Sequence, residues 1–240
     1  MIVPEISIII PAANEAAALP ACLARIEGAP NEVIVVDAQS DDGTPALARA
    51  GGCLLLASPD RQRARQMNLG AAQARGRILL FLHADTLLPP DALEKIIDAI
   101  DRRGAAGGAF SRRYRSRSWT LALTSRLAAL RNRVAGWHLG DQAIFVRRDI
   151  FREMGGFLDI PIFEDLDFSR RLRARGKTVT LTPPVYSSAR RFVAKGPLRT
   201  TLADLALTRR YLAGVDPNQL CNPRGDRVEQ SQPKNYEDFS

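Results

Sequence analysis

The sequence predicts an α/β fold: a mainly parallel sheet flanked by helices. Three observations predict it. Four short apolar runs, EISIII (5–10), EVIVVD (32–37), CLLLA (53–57) and ILLFL (78–82), lack polar alternation, as strands buried on both faces do. Between them, apolar residues recur at helical spacing. The joints carry stop and start signals, such as Thr44-Pro45 and Gly76.

In order, the first strand ends at Pro11, and Leu19, Cys22, Leu23 and Ile26 mark a helix over Ala16–Glu27. The second strand ends on Asp37, before the turn residues Ser40-Asp41-Asp42-Gly43. Thr44 then caps a helix. The third strand follows, and Arg63–Ala74 reads as helix. The fourth strand runs directly into His83-Ala84-Asp85-Thr86. Leu93, Ile96, Ile97 and Ile100 share one face of a helix over Asp91–Arg102. In such sheets ligands bind beyond the carboxyl ends of the strands, so Asp37 and Asp85 stand where a site is expected.

The second half is less regular. Strands are expected at Ala106–Phe110, Gln142–Val146 and Thr178–Leu181. Helices are expected at Ser118–Arg133, Asp149–Met154, Glu164–Arg175 and Leu198–Leu212. The whole reads as one domain over 1–213, with a first half at 1–103 and a second at 104–213. A polar, proline-bearing tail over 214–240 is expected to be flexible.

A length of 240 residues suits one domain. Three cysteines (Cys22, Cys53 and Cys221), with no C-x-x-C pair, argue against a disulfide framework or zinc knuckle and fit a reducing cytoplasm. The start, Met1-Ile2-Val3-Pro4-Glu5, lacks a basic, apolar leader, and no apolar run approaches the roughly 20 residues of a membrane span. The expectation is a cytoplasmic protein, with peripheral contact at the inner membrane face as an addition.

Lysine and arginine total 34 against 26 acids, but seven arginines (112, 113, 115, 117, 126, 131 and 133) lie between Gly104 and Gly140 without one carboxylate. The rest of the chain is balanced, so the excess is a local patch. With Trp119, Leu121, Leu123, Leu127 and Leu130 in the same stretch, Arg112–Arg133 is a candidate for contact with an anionic membrane surface.

Four acidic positions stand out: Glu15, Asp37, Asp85 and the Glu164-Asp165 pair. Each alone reads as a helix-start or turn residue; parallel topology would gather the first three at one rim. A hard divalent cation under a diphosphate needs one or two carboxylates, the phosphates completing its shell. No G-x-G-x-x-G follows the first strand and no G-x-x-x-x-G-K-[ST] occurs, which disfavours dinucleotide and P-loop folds.

The ordered strings IIIPAANE, EVIVVDAQSDDGT, RARQMNLGAAQARGRILLFLHADT and FEDLDFSRRLRARG resemble family 2 glycosyltransferases of the GT-A fold, in a bacterial subgroup with an H-A-D-T variant of D-x-D. The resemblance covers about Ile6 to Arg191. It implies an inverting, metal-dependent transfer of sugar from a nucleoside-diphosphate sugar, first of all a UDP-sugar, to an acceptor hydroxyl, with Mn²⁺ or Mg²⁺. It implies that Pro11, Ala12 and Glu15 border the nucleotide and that Asp37 bonds its base or ribose. Arg65 and Asn68 would face the donor, with Arg65 offsetting phosphate charge. His83, Ala84 and Asp85 would line the diphosphate, with Asp85 the metal ligand. Asp165 would be the general base beside Glu164. Asp141, in Gly140-Asp141-Gln142, would lie near a sugar, and Arg190-Arg191-Phe192 would fall on a closing segment. His83 departs from the family pattern, replacing an acid that holds the ribose or the metal; a histidine would do either, as hydrogen-bond donor or as nitrogen ligand, which puts Mn²⁺ on at least an equal footing with the oxygen-preferring Mg²⁺.

The acceptor expected is a hydroxyl, lipid-linked if the basic patch meets a membrane. A nucleotidyltransferase is the nearest alternative, disfavoured because PAANEA is not a glycine-rich basic signature. A non-enzymatic basic protein binding membrane or nucleic acid is a third. Nucleic acid is not expected as a partner, with aromatics at only 6% and no recognition motif.

Overall fold

The structure, a computed structural model, describes residues 4–221 apart from 27, 30, 117, 122 and 127–135. Arg117, Leu127, Leu130, Arg131, Arg133 and the tail from 222 therefore lie outside the described residues.

The strands are β1 (Ile6–Ala12), β2 (Asn31–Asp37), β3 (Leu54–Ala57), β4 (Ile78–Phe81), β5 (Thr86–Leu87), β6 (Gly107–Tyr114), β7 (Ile144–Arg147) and β8 (Thr178–Ser187). The helices are α1 (Leu19–Leu23), α2 (Thr44–Ala50), α3 (Arg63–Gln73), α4 (Ala92–Asp101), α5 (Arg148–Glu153), α6 (Glu164–Arg175), α7 (Arg190–Lys195), α8 (Pro197–Leu212) and α9 (Pro217–Leu220). Residues 119–121 and 123–126 are also helical, and Gly140–Gln142 is a 3₁₀ turn.

One mixed sheet runs β3-β2-β1-β4-β7-β6-β8-β5. Its first four strands are parallel, as the continuous apolar runs require. β7 then pairs antiparallel with β4 and β6, while β6 and β8 are parallel. The side-chain period of two splits each run between two cores. Ile8, Ile10, Val35 and Leu80 pack with Leu19, Cys22, Leu93 and Ile96 on one face. Ile9, Ile34, Val36, Leu79 and Phe81 pack with Ala64, Met67 and Phe168 on the other. Rings of Phe81, Phe151, Phe157 and Phe168 interlock there, Phe157 and Phe168 at 4.4 Å between centroids. Gly70 lets α3 close on β1: a Cβ would lie 2.5 Å from Ile9 Cγ2. Burial pushes the Cys22 thiol up to about 12, consistent with packing rather than reactivity.

Four elements differ most from expectation. The helix expected over Ala16–Glu27 is only Leu19–Leu23, because residues 14–16 are tied to the loop after β2. β6 and β8 extend four and six residues beyond the expected ends, to Tyr114 and Ser187, held by pairing with each other rather than by apolar pattern. Within the stretch expected to be tail, Pro217–Leu220 forms a helical turn with Leu220 buried.

Candidate active site

Parallel topology brings the carboxyl ends of β2, β1 and β4 side by side. Ala12, the last residue of β1, pairs in register with Asp37, the last of β2, and Pro11 with Val36. The loops beyond are stitched together. Asn14 N–H donates to Ser40 Oγ (2.7 Å), Glu15 N–H to Thr44 Oγ1 (2.8 Å) and Ala16 N–H to Asp42 Oδ2 (2.9 Å). Beneath them the buried Gln66 amide donates to the carbonyls of Ala12 (3.0 Å) and Val36 (2.8 Å). Of five non-glycine residues with positive φ among the described residues, Asn14, Gln39, Ala143 and Phe163 lie in segments that build this mouth. Such backbone strain gathers where surrounding structure holds a site in place.

Asp37 is buried. Its Oδ2 accepts from Ser40 N–H at 3.1 Å, and its Oδ1 is buried without a partner. Glu15 and Asp85 converge on one nitrogen, Arg190 Nη2, at 2.8 and 3.1 Å. Burial raises the Glu15 pKa, opposed by Arg190. Ala84 is buried between His83 and Asp85, and the Asp85 carbonyl accepts from Arg115 at 3.2 Å.

A second group faces this one. Asp165 Oδ2 accepts the Gly140 N–H at 2.6 Å and its Oδ1 accepts the Leu166 N–H at 2.6 Å. A Cβ on Gly140 would stand 2.9 Å from His83 Nε2 and 3.3 Å from Asp165 Oδ2, so a side chain there would push the imidazole and the carboxylate from these positions. His83 Nε2 is buried without a partner, and burial, then the Arg63 charge, lower its pKa, giving a neutral imidazole. Glu164, almost wholly buried, pairs with Arg63 Nε at 3.2 Å; burial raises its pKa against that pairing. Asp141 pairs with the buried Arg112 and accepts from the Tyr114 hydroxyl at 3.5 Å.

Glu15 and Asp85 thus share Arg190; Asp85, Asp141, Glu164 and Asp165 surround His83 and Arg63; and Asp37 ends the strand next to β1, but not every expected residue joins them. Arg65 points away: it is exposed and bonded to Asp159 at 2.9 Å and to Asp60. Asn68 clips the loop before α6 through the Phe157 carbonyl (2.9 Å) and N–H (3.0 Å). The arginine that enters the mouth is Arg63. The helical period shows why: Arg63, Gln66 and Gly70 share the inward stripe of α3, and Arg65 stands about 200° round from Arg63. Two arginines of the basic patch, Arg112 and Arg115, also turn inward onto Asp141 and Asp85, so the patch is not wholly a surface feature. His138 is core: its N–H donates to Ser169 Oγ at 2.7 Å and its Nε2 lies 3.0 Å from Thr180 Oγ1. Trp137 lies beside Arg170, 5.9 Å from ring centroid to guanidinium.

Among the described residues, no three His, Cys, Asp or Glu side chains stand close enough to hold a metal alone. No described helix is long and apolar enough to cross a membrane.

Comparison with known proteins gives the family and the fold. A PGL/p-HBAD biosynthesis glycosyltransferase of Mycobacterium bovis is 33% identical over 195 residues, 75% of this chain and 74% of the relative. An undecaprenyl-phosphate 4-deoxy-4-formamido-L-arabinose transferase of Aeromonas hydrophila is 28% identical over 156 residues, 59% of this chain and 48% of the relative. Staphylococcus aureus TarS 1-349, crystallised in complex with UDP, has the same fold at a TM-score of 0.62 and 17% identity, over 77% of this chain and 60% of that one. The chain spans only 63%, 32% and 48% of the length of three relatives it matches. A family model described as Glycosyl transferase family 2 matches residues 7–195, and the chain belongs to that family.

Proposed function

We propose that this chain is an inverting glycosyltransferase that moves a sugar from a nucleoside-diphosphate sugar to an acceptor hydroxyl, with Asp165 as general base. The observation carrying this is the fixed Asp165 carboxylate, held by two N–H groups at 2.6 Å across Gly140 from His83, which stands two residues before Asp85.

In this reading Asp37 and the ends of β1 and β2 receive the base and ribose, in keeping with the unpartnered Asp37 Oδ1. UDP is the first nucleotide to test, since a protein of the same fold was crystallised with it. The diphosphate lies over Asp85. Arg63, not Arg65, offsets its charge.

The donor set fits a divalent cation: two carboxylates already share one positive group, Arg190. Asp85 would hold Mn²⁺ or Mg²⁺ with diphosphate oxygens, and Glu15 would stand beside it. When bound, the ion supplies charge neutralisation of the leaving diphosphate. His83 Nε2, turned toward Gly140, is assigned to a sugar hydroxyl rather than to the ion. Asp165 takes the acceptor proton as that oxygen attacks the anomeric carbon. Fixed backbone donors keep the carboxylate aimed, which lowers the entropic barrier.

The acceptor enters from a cavity of about 870 Å³ lined by Arg112, Arg113, Tyr114, Ser125, Thr180 and Tyr186, among others. Its hydroxyls and arginines suit a polyhydroxylated, anionic acceptor, and a lipid-linked one joins this reading to membrane contact at an inner cytoplasmic face. In the described part of the Arg112–Arg133 segment, Trp119, Leu123, Arg113 and Arg126 face outward, whereas Arg112 does not.

Asp165→Asn tests the assignment. Transfer should fall about 10²- to 10⁴-fold while UDP affinity is kept. Equal loss of UDP binding would remove Asp165 from the role of base.

A further inference from the structure

Helix α8 is inverted relative to an ordinary surface helix. Leu198, Leu202, Leu205 and Leu212, spaced four, three and seven apart, form one stripe. That stripe faces solvent, the first three leucines being 63%, 57% and 56% exposed. The inward face is mixed: Thr200 is buried, Leu207 is half-buried, Asp204 pairs with Arg191, and the Tyr211 ring stacks on Phe163 at 4.8 Å. No core cluster among the described residues includes these leucines.

The charge around the stripe has one sign. Residues 190–212 hold six basic side chains and a single acid, Asp204, which is turned inward. By helical spacing Arg209 lies within the leucine stripe, and Arg199 and Arg210 lie along its edge. Two neighbours extend the surface. Val193 on α7 is exposed, and the segment 119–126, which packs on α7 through Leu121 and Phe192, exposes Trp119 and Leu123. A second copy of the chain is a poor occupant, because a two-fold contact sets the same cations face to face. A leucine face edged by arginine and lysine is complementary to an anionic lipid surface.

We propose that α8 is a membrane-docking helix, lying flat on an anionic bilayer with Leu198, Leu202, Leu205 and Leu212 among the acyl chains and Arg199, Arg209 and Arg210 on lipid phosphates. It builds on the membrane-contact part of the proposed reading and moves the main contact from the 112–133 segment to α8. Its position links docking to the site. Tyr211 touches Phe163, the residue before Glu164, and the neighbouring α7 begins with Arg190 on Glu15 and Asp85. A bilayer against α8 therefore adjoins the mouth, as an acceptor carried in the membrane requires.

The test is co-sedimentation of the full chain with vesicles of phosphatidylcholine alone or mixed with phosphatidylglycerol, with UDP-induced thermal stabilisation measured in parallel. The wild type should bind the anionic vesicles and release at high salt. Leu202→Ser/Leu205→Ser should lose at least about tenfold in partitioning, given the apolar area withdrawn, while keeping its response to UDP. Arg199→Ser/Arg209→Ser/Arg210→Ser should lose the preference for anionic lipid. Four results would overturn the proposal: no binding by the wild type, equal binding by the leucine variant, loss confined to Arg113→Ser/Arg126→Ser, or a wild-type dimer that the leucine variant dissolves. None of these touches the nucleotide reading, which fails separately if UDP has no effect.

Discussion

Two arginines enter the mouth from opposite sides and are equally exposed: Arg63 at 47% and Arg190 at 48% of their side chains. Their partners differ. Arg63 holds Glu164, which is 3% exposed; Arg190 bridges Glu15 and Asp85, at 18% and 23%. Arg63 also stands in the first turn of the eleven-residue α3, packed on β1 and β2, whereas Arg190 begins the six-residue α7. The energetic weight of an ion pair follows the burial of its less accessible member, because that group cannot fall back on water. Arg63 is thus part of the frame, and Arg190 is a group that incoming ligand can displace.

Replacing each arginine separates these roles. Arg63→Met strands the Glu164 carboxylate and should cost about 1–3 kcal/mol in denaturant unfolding. Arg190→Ala should cost less than about 1 kcal/mol, since Glu15 and Asp85 regain water. It should instead strengthen the Mn²⁺ contribution to UDP binding, measured by calorimetry, because the guanidinium that occupies Glu15 and Asp85 is gone. Equal destabilisation by both variants would break the comparison.

The smallest effect concerns pH. Burial lifts the folded-state pKa of Glu164 above its ordinary 4.5 against the pull of Arg63, so the folded chain holds this proton more tightly than the unfolded chain does. Its stabilising contribution is complete below pH 4.5 and is lost as pH rises through the folded value. Glu164→Gln should therefore show a flatter decline of melting temperature above pH 4.5 than the wild type. A steeper decline would reverse the sign of the burial effect.

The same comparison shows what the sequence makes legible. β1, β2 and β4 announce themselves because both faces are largely buried, whereas β3, a half-exposed edge strand, shows only as an apolar run; Asp37 and Asp85 follow from where β2 and β4 end. Asp165 is legible through its string rather than through any local period. Arg63 and Arg65 sit in one motif, RAR, and only the facing of α3 tells them apart: Gln66 and Gly70 point inward, three and seven residues after Arg63. β5 is two residues long and exists through pairing of Thr86 with Ser187, a partner about a hundred residues away. The polar end of β6, Ser111-Arg112-Arg113-Tyr114, is a strand because β8 lies beside it, and local composition carries no sign of that. Long-range pairing, not residue type, decides the second half.

The account rests on a cation and a diphosphate meeting at Asp85. The most direct measurement is thermal stability with UDP, with Mn²⁺, and with both, in the wild type and Asp85→Asn. Stabilisation should be greatest with both together, by mass action on the folded state, and the added effect of Mn²⁺ should vanish in Asp85→Asn. Equal stabilisation by UDP with or without Mn²⁺, unchanged in the variant, would contradict the claim.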